Sequence, residues 1–226
     1  MTNKYYADEP KFNVAVDCII FGFEDGNLQV LFQHRTIEPF NGELTPLGGF
    51  VQEDETLDEA AYRVLTERTG IEELFLEQLQ AFGDINRDPG GRVISVAYYA
   101  LLNKTYYDNN LLKKFNCQWV NVNNLPVLYF DHMNMMQKAI SRLQDKISYT
   151  PIALKLLHEE FTMSQMQRLY EAILGVELDK RNFRKKVSDM PYFIKTGKVD
   201  KIGSKRGAAI YRFDYTKYQE HKEYHL

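Results

Sequence analysis

The stretch that decides the fold of the first half of this chain is GFVQEDETLDEAAYRVLTERTGI, residues 49–71. Its segment 58–69 predicts a helix, and Gly70 follows as a C-terminal stop signal. At about 100° per residue, positions 64, 67 and 68 fall within an arc of about 100° on this helix. Val64, Glu67 and Arg68 are therefore expected to share one helix face.

The same 23 residues resemble the Nudix box, the loop-helix-loop of enzymes that cleave nucleoside diphosphates linked to another group. The family pattern places glycines, glutamates, an arginine and aliphatic residues at fixed offsets, so several matches together are a specific signal. The resemblance implies a Nudix-type α/β/α sandwich. The matching residues are Gly49, Glu55, Arg63, Leu65, Glu67, Gly70 and Ile71.

Two positions of the box depart from the family pattern, because Val64 and Arg68 stand where the family has glutamates. In active relatives this helix face carries three carboxylates that hold Mg²⁺, a hard cation that needs oxygen ligands. A valine supplies no ligand, and a guanidinium repels a divalent cation. The departures predict that the fold is retained without metal binding and without hydrolysis. We expect no catalytic residue, no metal site and no cofactor.

Outside the box, the first 150 residues alternate strands with helices, which is typical of an α+β or α/β domain. The dipeptide Asp25-Gly26 predicts a hairpin turn between the first two strands. Strands are predicted at 12–21, 28–32, 76–85, 93–102 and 118–122, and a second helix at 132–147. The segment 44–50 between them brings two adjacent glycines.

The segment 83–98 resembles a stretch of ADP-ribose-type Nudix domains and of regulators derived from them. Arg87 and Arg92 flank a proline-glycine turn, where they can bind a phosphate or a sugar hydroxyl. The alternative is a structural loop in which these arginines pair with Asp84 and Asp88. A pocket that binds without hydrolysing is a sensor. The predicted effector-binding residues are Glu55, Glu67, Arg87, Asp88 and Arg92.

Charge divides the chain into two parts. Residues 1–150 carry 13 lysines and arginines against 21 aspartates and glutamates, and residues 151–226 carry 15 against 10. The total of −3 therefore hides an acidic module of −8 and a basic module of +5. Such a split predicts two modules with different partners, and a polyanion suits the basic one. The predicted boundary is Thr150-Pro151, because the residue before a proline disfavours helix.

The pattern after this boundary predicts two helices joined by a tight turn. Thr162 followed by Gln165 is a capping box at the start of the first helix, and Gly175 ends that helix. Asp179 is the predicted N-cap of the second helix, which ends before Pro191. The order of helix, turn and helix is the helix-turn-helix arrangement.

The second helix carries a basic face opposite its packing face of Phe183, Val187 and Met190. A helix of this kind reads base edges in the DNA major groove. Strands at 192–195 and 207–213 predict a wing whose cations contact backbone phosphates. The alternative is a helical dimerisation module with solvated charge. The predicted DNA-binding residues are Arg181, Asn182, Arg184, Lys185, Ser188, Lys198, Lys201, Lys205 and Arg206.

Both halves together resemble the Nudix-related transcriptional regulators of bacteria, from about Phe12 to Phe213. The resemblance implies an α+β chain with a Nudix-like effector-binding domain over 1–150 and a winged helix-turn-helix domain over 151–226. It also implies a homodimer on double-stranded operator DNA and a small-molecule effector. A pentose such as arabinose, sensed by a group of these regulators in gut Bacteroidetes, is the first expectation, and ADP-ribose is the second.

Two other functions remain open at this stage, a Nudix hydrolase of the ADP-ribose pyrophosphatase type with an accessory basic domain and an RNA-binding Nudix scaffold. The composition indicates a globular protein, because 44% hydrophobic and 26% charged residues are typical of that class. The apolar run Cys18–Phe21 is far shorter than the roughly 20 residues that cross a bilayer. We expect a cytoplasmic protein without a membrane partner, with Cys18 and Cys117 as free thiols.

Overall fold

A mixed sheet of seven strands organises the N-terminal part of the molecule. The computed structural model describes residues 8–72, 74–107, 109–201 and 207–220. The strand order is β3-β2-β1-β6-β5, with β4 paired to β1 and β7 paired to β2. The strands are β1 (Asn13–Glu24), β2 (Asn27–His34), β3 (Leu44–Thr45), β4 (Leu47–Phe50), β5 (Phe75–Phe82), β6 (Val93–Leu102) and β7 (Cys117–Asn121).

Strand β1 is the centre of this sheet. It runs parallel to β6, with Val16 opposite Val96, and antiparallel to β2. The turn between β1 and β2 has positive φ at both Asp25 (51°) and Gly26 (80°). This is the backbone that a type I′ hairpin turn requires, so the predicted hairpin is confirmed.

Helices cover both faces of the sheet and complete the α/β/α sandwich that the Nudix resemblance implied. Because side chains alternate along a strand, one face of β1 packs against α1 (Leu57–Thr69) through Cys18 and Ile20. The other face packs against α3 (His132–Ile147) through Ile19 and Phe21. A short helix, α2 (Asn109–Lys114), precedes β7 and was not predicted.

The C-terminal part folds as a winged helix. Two helices, α4 (Met163–Leu174) and α5 (Lys180–Ser188), stand beside a three-stranded sheet of order β8-β10-β9. Strand β8 has three residues, too few for a periodic pattern in the sequence to indicate it. The remaining elements are β8 (Glu160–Thr162), β9 (Phe193–Asp200), β10 (Ala208–Phe213) and α6 (Tyr215–Glu220).

One hydrophobic cluster runs through both parts of the chain. It joins Met135 and Leu143 of α3 to Leu169 and Ile173 of α4. The side-chain amide of Gln144 also donates to the Ile173 carbonyl at 2.9 Å. The C-terminal helices therefore rest directly on the N-terminal sandwich.

Two sequence expectations concern features outside the sites. Cys18 and Cys117 are both free and buried, as predicted. Burial raises the pKa of the Cys117 thiol to about 11, so this thiol stays protonated at neutral pH. Across the ranges that the structure describes, no helix is both long and apolar enough to span a membrane.

Candidate functional site

Arg63 organises the loop that precedes α1. Its guanidinium makes two hydrogen bonds to the Glu55 carboxylate, at 2.6 and 2.8 Å, and a third to the Phe50 carbonyl at 3.0 Å. It also donates to Glu67 at 3.3 Å. The hydrogen bonds that Glu55 accepts, first from Arg63 and then from the Gln52 backbone, lower its pKa to about 2. Two of the predicted effector-binding residues, Glu55 and Glu67, are thus brought together around one guanidinium.

The remaining residues on this face of α1 differ in burial. Val64 is 1% exposed, and its Cγ2 lies 2.7 Å from where a Cβ on Gly49 would stand. Any side chain at position 49 would meet Val64, so glycine lets the loop lie close to the helix. Arg68 is half-buried and lines a cavity next to the loop.

These residues do not fit the Mg²⁺ that the Nudix fold implies. Glu55 is engaged by a guanidinium, Val64 offers no oxygen ligand and Arg68 adds a positive charge. Within the described part of the chain, no group of three or more His, Cys, Asp or Glu side chains is placed to hold a metal ion.

The cavity beside α1 has a volume of about 240 Å³ and is built around Arg87. Arg87 is 8% exposed, although it follows a loop of exposed residues. Its guanidinium binds the Asp131 carboxylate through two hydrogen bonds of 2.8 and 3.0 Å and lies 3.6 Å from Asp17. A buried arginine is thereby held between two carboxylates, which compensate its charge.

Asp17, Arg87 and His132 line the cavity, and together with Asp131, which holds Arg87, they form what we call the floor cluster. Asp17 accepts a hydrogen bond of 2.5 Å from the Ser95 hydroxyl, and its other oxygen lies 3.8 Å from Nε2 of His132. Burial lowers the pKa of His132, so its ring is neutral at pH 7. Two carboxylates and one guanidinium leave the floor cluster with a formal charge of −1, suited to accept hydrogen bonds from hydroxyl groups.

The structure separates the two arginines of the 83–98 segment. Arg87 points into the cavity, and its partners are Asp131 and Asp17 instead of the nearby acids that the structural alternative assumed. Arg92 donates to the carbonyls of Gly83 and Asp84, at 2.8 and 2.9 Å. Asp88 lines the cavity with Arg87.

Sequence reasoning missed most of the cavity. Asp17 and His132, which line it, and Asp131, which holds Arg87, belong to no motif. Arg68 drew attention only as a departure from the Nudix pattern, although the structure places it in the cavity wall.

The floor cluster predicts how stability depends on pH. Burial is the main cause that lowers the pKa of His132, while the carboxylates of Asp17 and Asp131 oppose it. The unfolded chain therefore binds this proton more readily, and the free energy of unfolding falls as the pH drops below about 6.5. In His132→Gln, we expect this acid-side loss to be smaller in urea denaturation between about pH 7 and pH 5. His158→Gln, at an exposed position, is the control. Equal pH dependence in His132→Gln and the parent would contradict this account.

The two C-terminal helices adopt the predicted helix-turn-helix geometry. The capping box of Thr162 and Gln165 is formed, and Gly175 ends α4 in the left-handed conformation with φ of 71°. The Asp179 carboxylate accepts a hydrogen bond of 2.7 Å from the backbone N–H of Asn182 and caps α5. These contacts fix the turn that sets the two helix axes.

The predicted packing face of α5 is confirmed. Val187 and Met190 are buried, and the half-buried ring of Phe183 lies 5.9 Å from that of Tyr170 on α4. The opposite face is free to meet a ligand. All five residues of α5 that were predicted to bind DNA are exposed, namely Arg181, Lys185 and Ser188 on this face and Asn182 and Arg184 at its flanks.

The wing is formed by β9 and β10. Lys198 is exposed and binds the Glu160 carboxylate at 2.7 Å, and Lys201 is exposed just after β9. The other two predicted wing cations, Lys205 and Arg206, lie outside the described residues. An open groove of about 760 Å³ separates the wing from the helices, and four cationic side chains among the described residues line it. They are Arg168, Lys180, Arg184 and Lys185.

Comparisons with known proteins agree with this architecture. Residues 11–142 match the NUDIX domain family, and residues 153–213 match the NrtR DNA-binding winged helix domain. The chain is 35% identical over 211 residues to the ADPR responsive transcriptional repressor NtrR of Acinetobacter baylyi. This alignment covers 92% of this chain and 84% of that relative.

Two solved structures from Shewanella oneidensis are also similar. The crystal structure of NrtR complexed with a 27mer DNA has a TM-score of 0.80 at 28% identity, covering 94% of this chain and 97% of that chain. The NUDIX domain of NrtR complexed with ADP ribose has a TM-score of 0.52 at 29% identity, covering 63% of this chain and 99% of that one. The chain therefore belongs to the NrtR family, with an N-terminal Nudix domain and a C-terminal DNA-binding winged-helix domain.

Proposed function

We propose that this protein is a cytoplasmic, ADP-ribose-responsive transcriptional repressor that binds its effector in the Nudix cavity without hydrolysing it. ADP-ribose takes precedence over a pentose because it is named both for the Acinetobacter relative and for the complex of the Shewanella Nudix domain. We further propose a domain boundary at Thr150-Pro151 and a homodimer on a palindromic operator, because one winged helix buries little surface on DNA.

The observation that carries this proposal is Arg68 in the cavity wall. In a hydrolase, Mg²⁺ neutralises the diphosphate and also activates its cleavage. A guanidinium supplies the positive charge and the paired hydrogen-bond donors for a phosphate, and it activates no water. Arg68 therefore replaces the binding role of the metal without its chemistry.

The floor cluster gives the cavity its second specificity element. Its formal charge of −1 repels a phosphate. Its carboxylate oxygens can accept hydrogen bonds from ribose hydroxyls. A ligand with hydroxyls at one end and a diphosphate nearby matches the floor cluster and Arg68 together. We propose that Arg87 and Asp88, which line the cavity, contact the effector. Glu55, Glu67 and Arg92 then hold the loops that frame it.

Replacing Arg68 by alanine is expected to weaken ADP-ribose binding about tenfold, the effect of losing roughly 1.5 kcal/mol from charged hydrogen bonds. Arg68→Lys keeps the charge but not the paired donors, so its affinity for ADP-ribose should lie between those of Arg68→Ala and the parent. Lys138→Ala removes an exposed cation from α3 and serves as the control. Isothermal titration calorimetry provides the dissociation constants, and an Arg68→Ala variant that binds like the parent would refute this role.

The absence of hydrolysis is tested with the parent protein, ADP-ribose and Mg²⁺. We expect AMP production no faster than in protein-free buffer. Turnover that disappears in Glu67→Gln would show that the Nudix domain is an active hydrolase.

Control of a repressor by an effector requires the effector site and the DNA-binding site to be linked. Saturating ADP-ribose should change the affinity for operator DNA, and operator should change the affinity for ADP-ribose by the same factor. Typical couplings of about 1–3 kcal/mol correspond to a factor of about 5–150. The operator is a duplex that the protein selects from a random-sequence pool, and fluorescence anisotropy measures its affinity. Equal operator affinities with and without ADP-ribose would refute the proposed function.

A further inference from the structure

Arg168 lies in the groove of the winged helix, on the side next to the Nudix domain. It projects from α4, is exposed, and lines the groove with Lys180, Arg184 and Lys185. Its Nε donates to the Ser164 carbonyl one turn earlier, at 3.4 Å. The neighbouring Arg184 donates to the Ser164 hydroxyl at 3.2 Å. The cationic side chains of α4 and α5 therefore lie close together in the groove. A groove with this charge fits the phosphates of a DNA backbone.

Arg168 also lies beside the Nudix domain, which distinguishes it within this groove. Its Cδ lies 3.9 Å from the position that a Cβ on Gly26 would occupy, at the turn between β1 and β2. The turn is held by its own hydrogen bonds, from Asn27 to the Asp25 carbonyl at 3.2 Å and from Asn121 to Asn27 at 2.9 Å. The aliphatic part of Arg168 therefore lies next to a hydrogen-bonded turn of the other domain.

Strand β2 connects that turn to the effector cavity. It begins at Asn27, directly after the turn, and its last residues Gln33 and His34 line the cavity. Its buried side chains Leu28, Val30 and Phe32 belong to the same cluster as Met166 and Leu169 of α4. Because α4 packs on this strand, a displacement at the cavity end is transmitted to the helix that carries Arg168.

We propose that Arg168 couples the cavity to DNA, by contacting a backbone phosphate from a position that the β1–β2 turn sets. This inference rests on the proposed function, because it requires an effector in the cavity. It assigns a coupling role to a residue outside both the recognition helix and the cavity. A displacement of β2 changes where the guanidinium stands in the groove, and thereby the affinity for every DNA sequence.

The test compares Arg168→Ala with Lys180→Ala in the full-length protein. Both variants remove an exposed cation from the same groove, but Lys180 projects from α5. Anisotropy with operator and with a random duplex, each with and without saturating ADP-ribose, provides four dissociation constants for each protein. The coupling ratio is the operator dissociation constant with ADP-ribose divided by that without it.

We expect Arg168→Ala to weaken both duplexes similarly, to make the salt dependence shallower by about one unit of slope, and to bring the coupling ratio close to 1. Lys180→Ala should keep the coupling ratio of the parent. An unchanged salt slope or coupling ratio in Arg168→Ala overturns the inference, and so does a ratio near 1 in both variants. If the parent itself has a ratio of 1, the proposed function fails as well, so the two failures are distinguishable.

Discussion

Replacing Arg87 by methionine is expected to lower the free energy of unfolding by about 3–5 kcal/mol, the range for breaking a buried ion pair. The substitution keeps a long side chain but leaves Asp17 and Asp131 without the cation that lies beside both. An uncompensated buried carboxylate is costly because the protein interior solvates it poorly. Guanidinium denaturation followed by circular dichroism at pH 7 measures the change.

A second substitution separates charge from packing in this variant. In Arg87→Met with Asp131→Asn, one of the two uncompensated charges is removed, so the double variant should be more stable than Arg87→Met alone. A merely steric effect of methionine would make the double variant no more stable. Arg142→Met, on α3, breaks a longer ion pair of 3.7 Å with Glu77 that is more exposed, and it should cost under about 1 kcal/mol.

The next largest effect is expected at the recognition helix. Arg181 is exposed in the first turn of α5, the end of a recognition helix that approaches base edges. A direct base contact discriminates by about 1–3 kcal/mol. Arg181→Ala should therefore weaken operator binding about 5- to 150-fold and weaken random-duplex binding much less.

Lys201 supplies the matched control for Arg181. It is exposed at the end of β9, where a wing contacts phosphates. Lys201→Ala should weaken operator and random duplex alike and make the salt dependence shallower by about one unit of slope. Both variants are titrated at two salt concentrations. Parent-like operator binding by Arg181→Ala would show that another element reads the bases.

These predictions draw on features that the sequence revealed to different degrees. The Nudix box, the hairpin turn at Asp25-Gly26, and the caps of α4 and α5 were all predicted and are all formed. Each depends on residues a few positions apart, because capping hydrogen bonds and positive φ angles are local. Helix α3 was predicted with its bounds, because its apolar residues repeat at helical spacing.

The short elements β8, α2 and α6 were not predicted. A strand of three residues or a helix of six has too few positions to show a period, so tertiary contacts decide its conformation. In β8, the contacts are ladder pairs with β10, with Phe161 opposite Tyr211.

The sequence by itself determined the family resemblance, the division into an acidic and a basic half, the helix-turn-helix and the two positions that depart from the Nudix pattern. What only the tertiary structure decided is the cavity. Asp17 comes from β1, Arg87 from a loop and Asp131 from the residue before α3, and 44 positions separate Arg87 from Asp131. No local pattern records such a pairing, because a buried charge selects its partners by distance in space and by the lack of water. The position of Arg168 beside the turn at Gly26 has the same origin, since it exists only because α4 packs on β2.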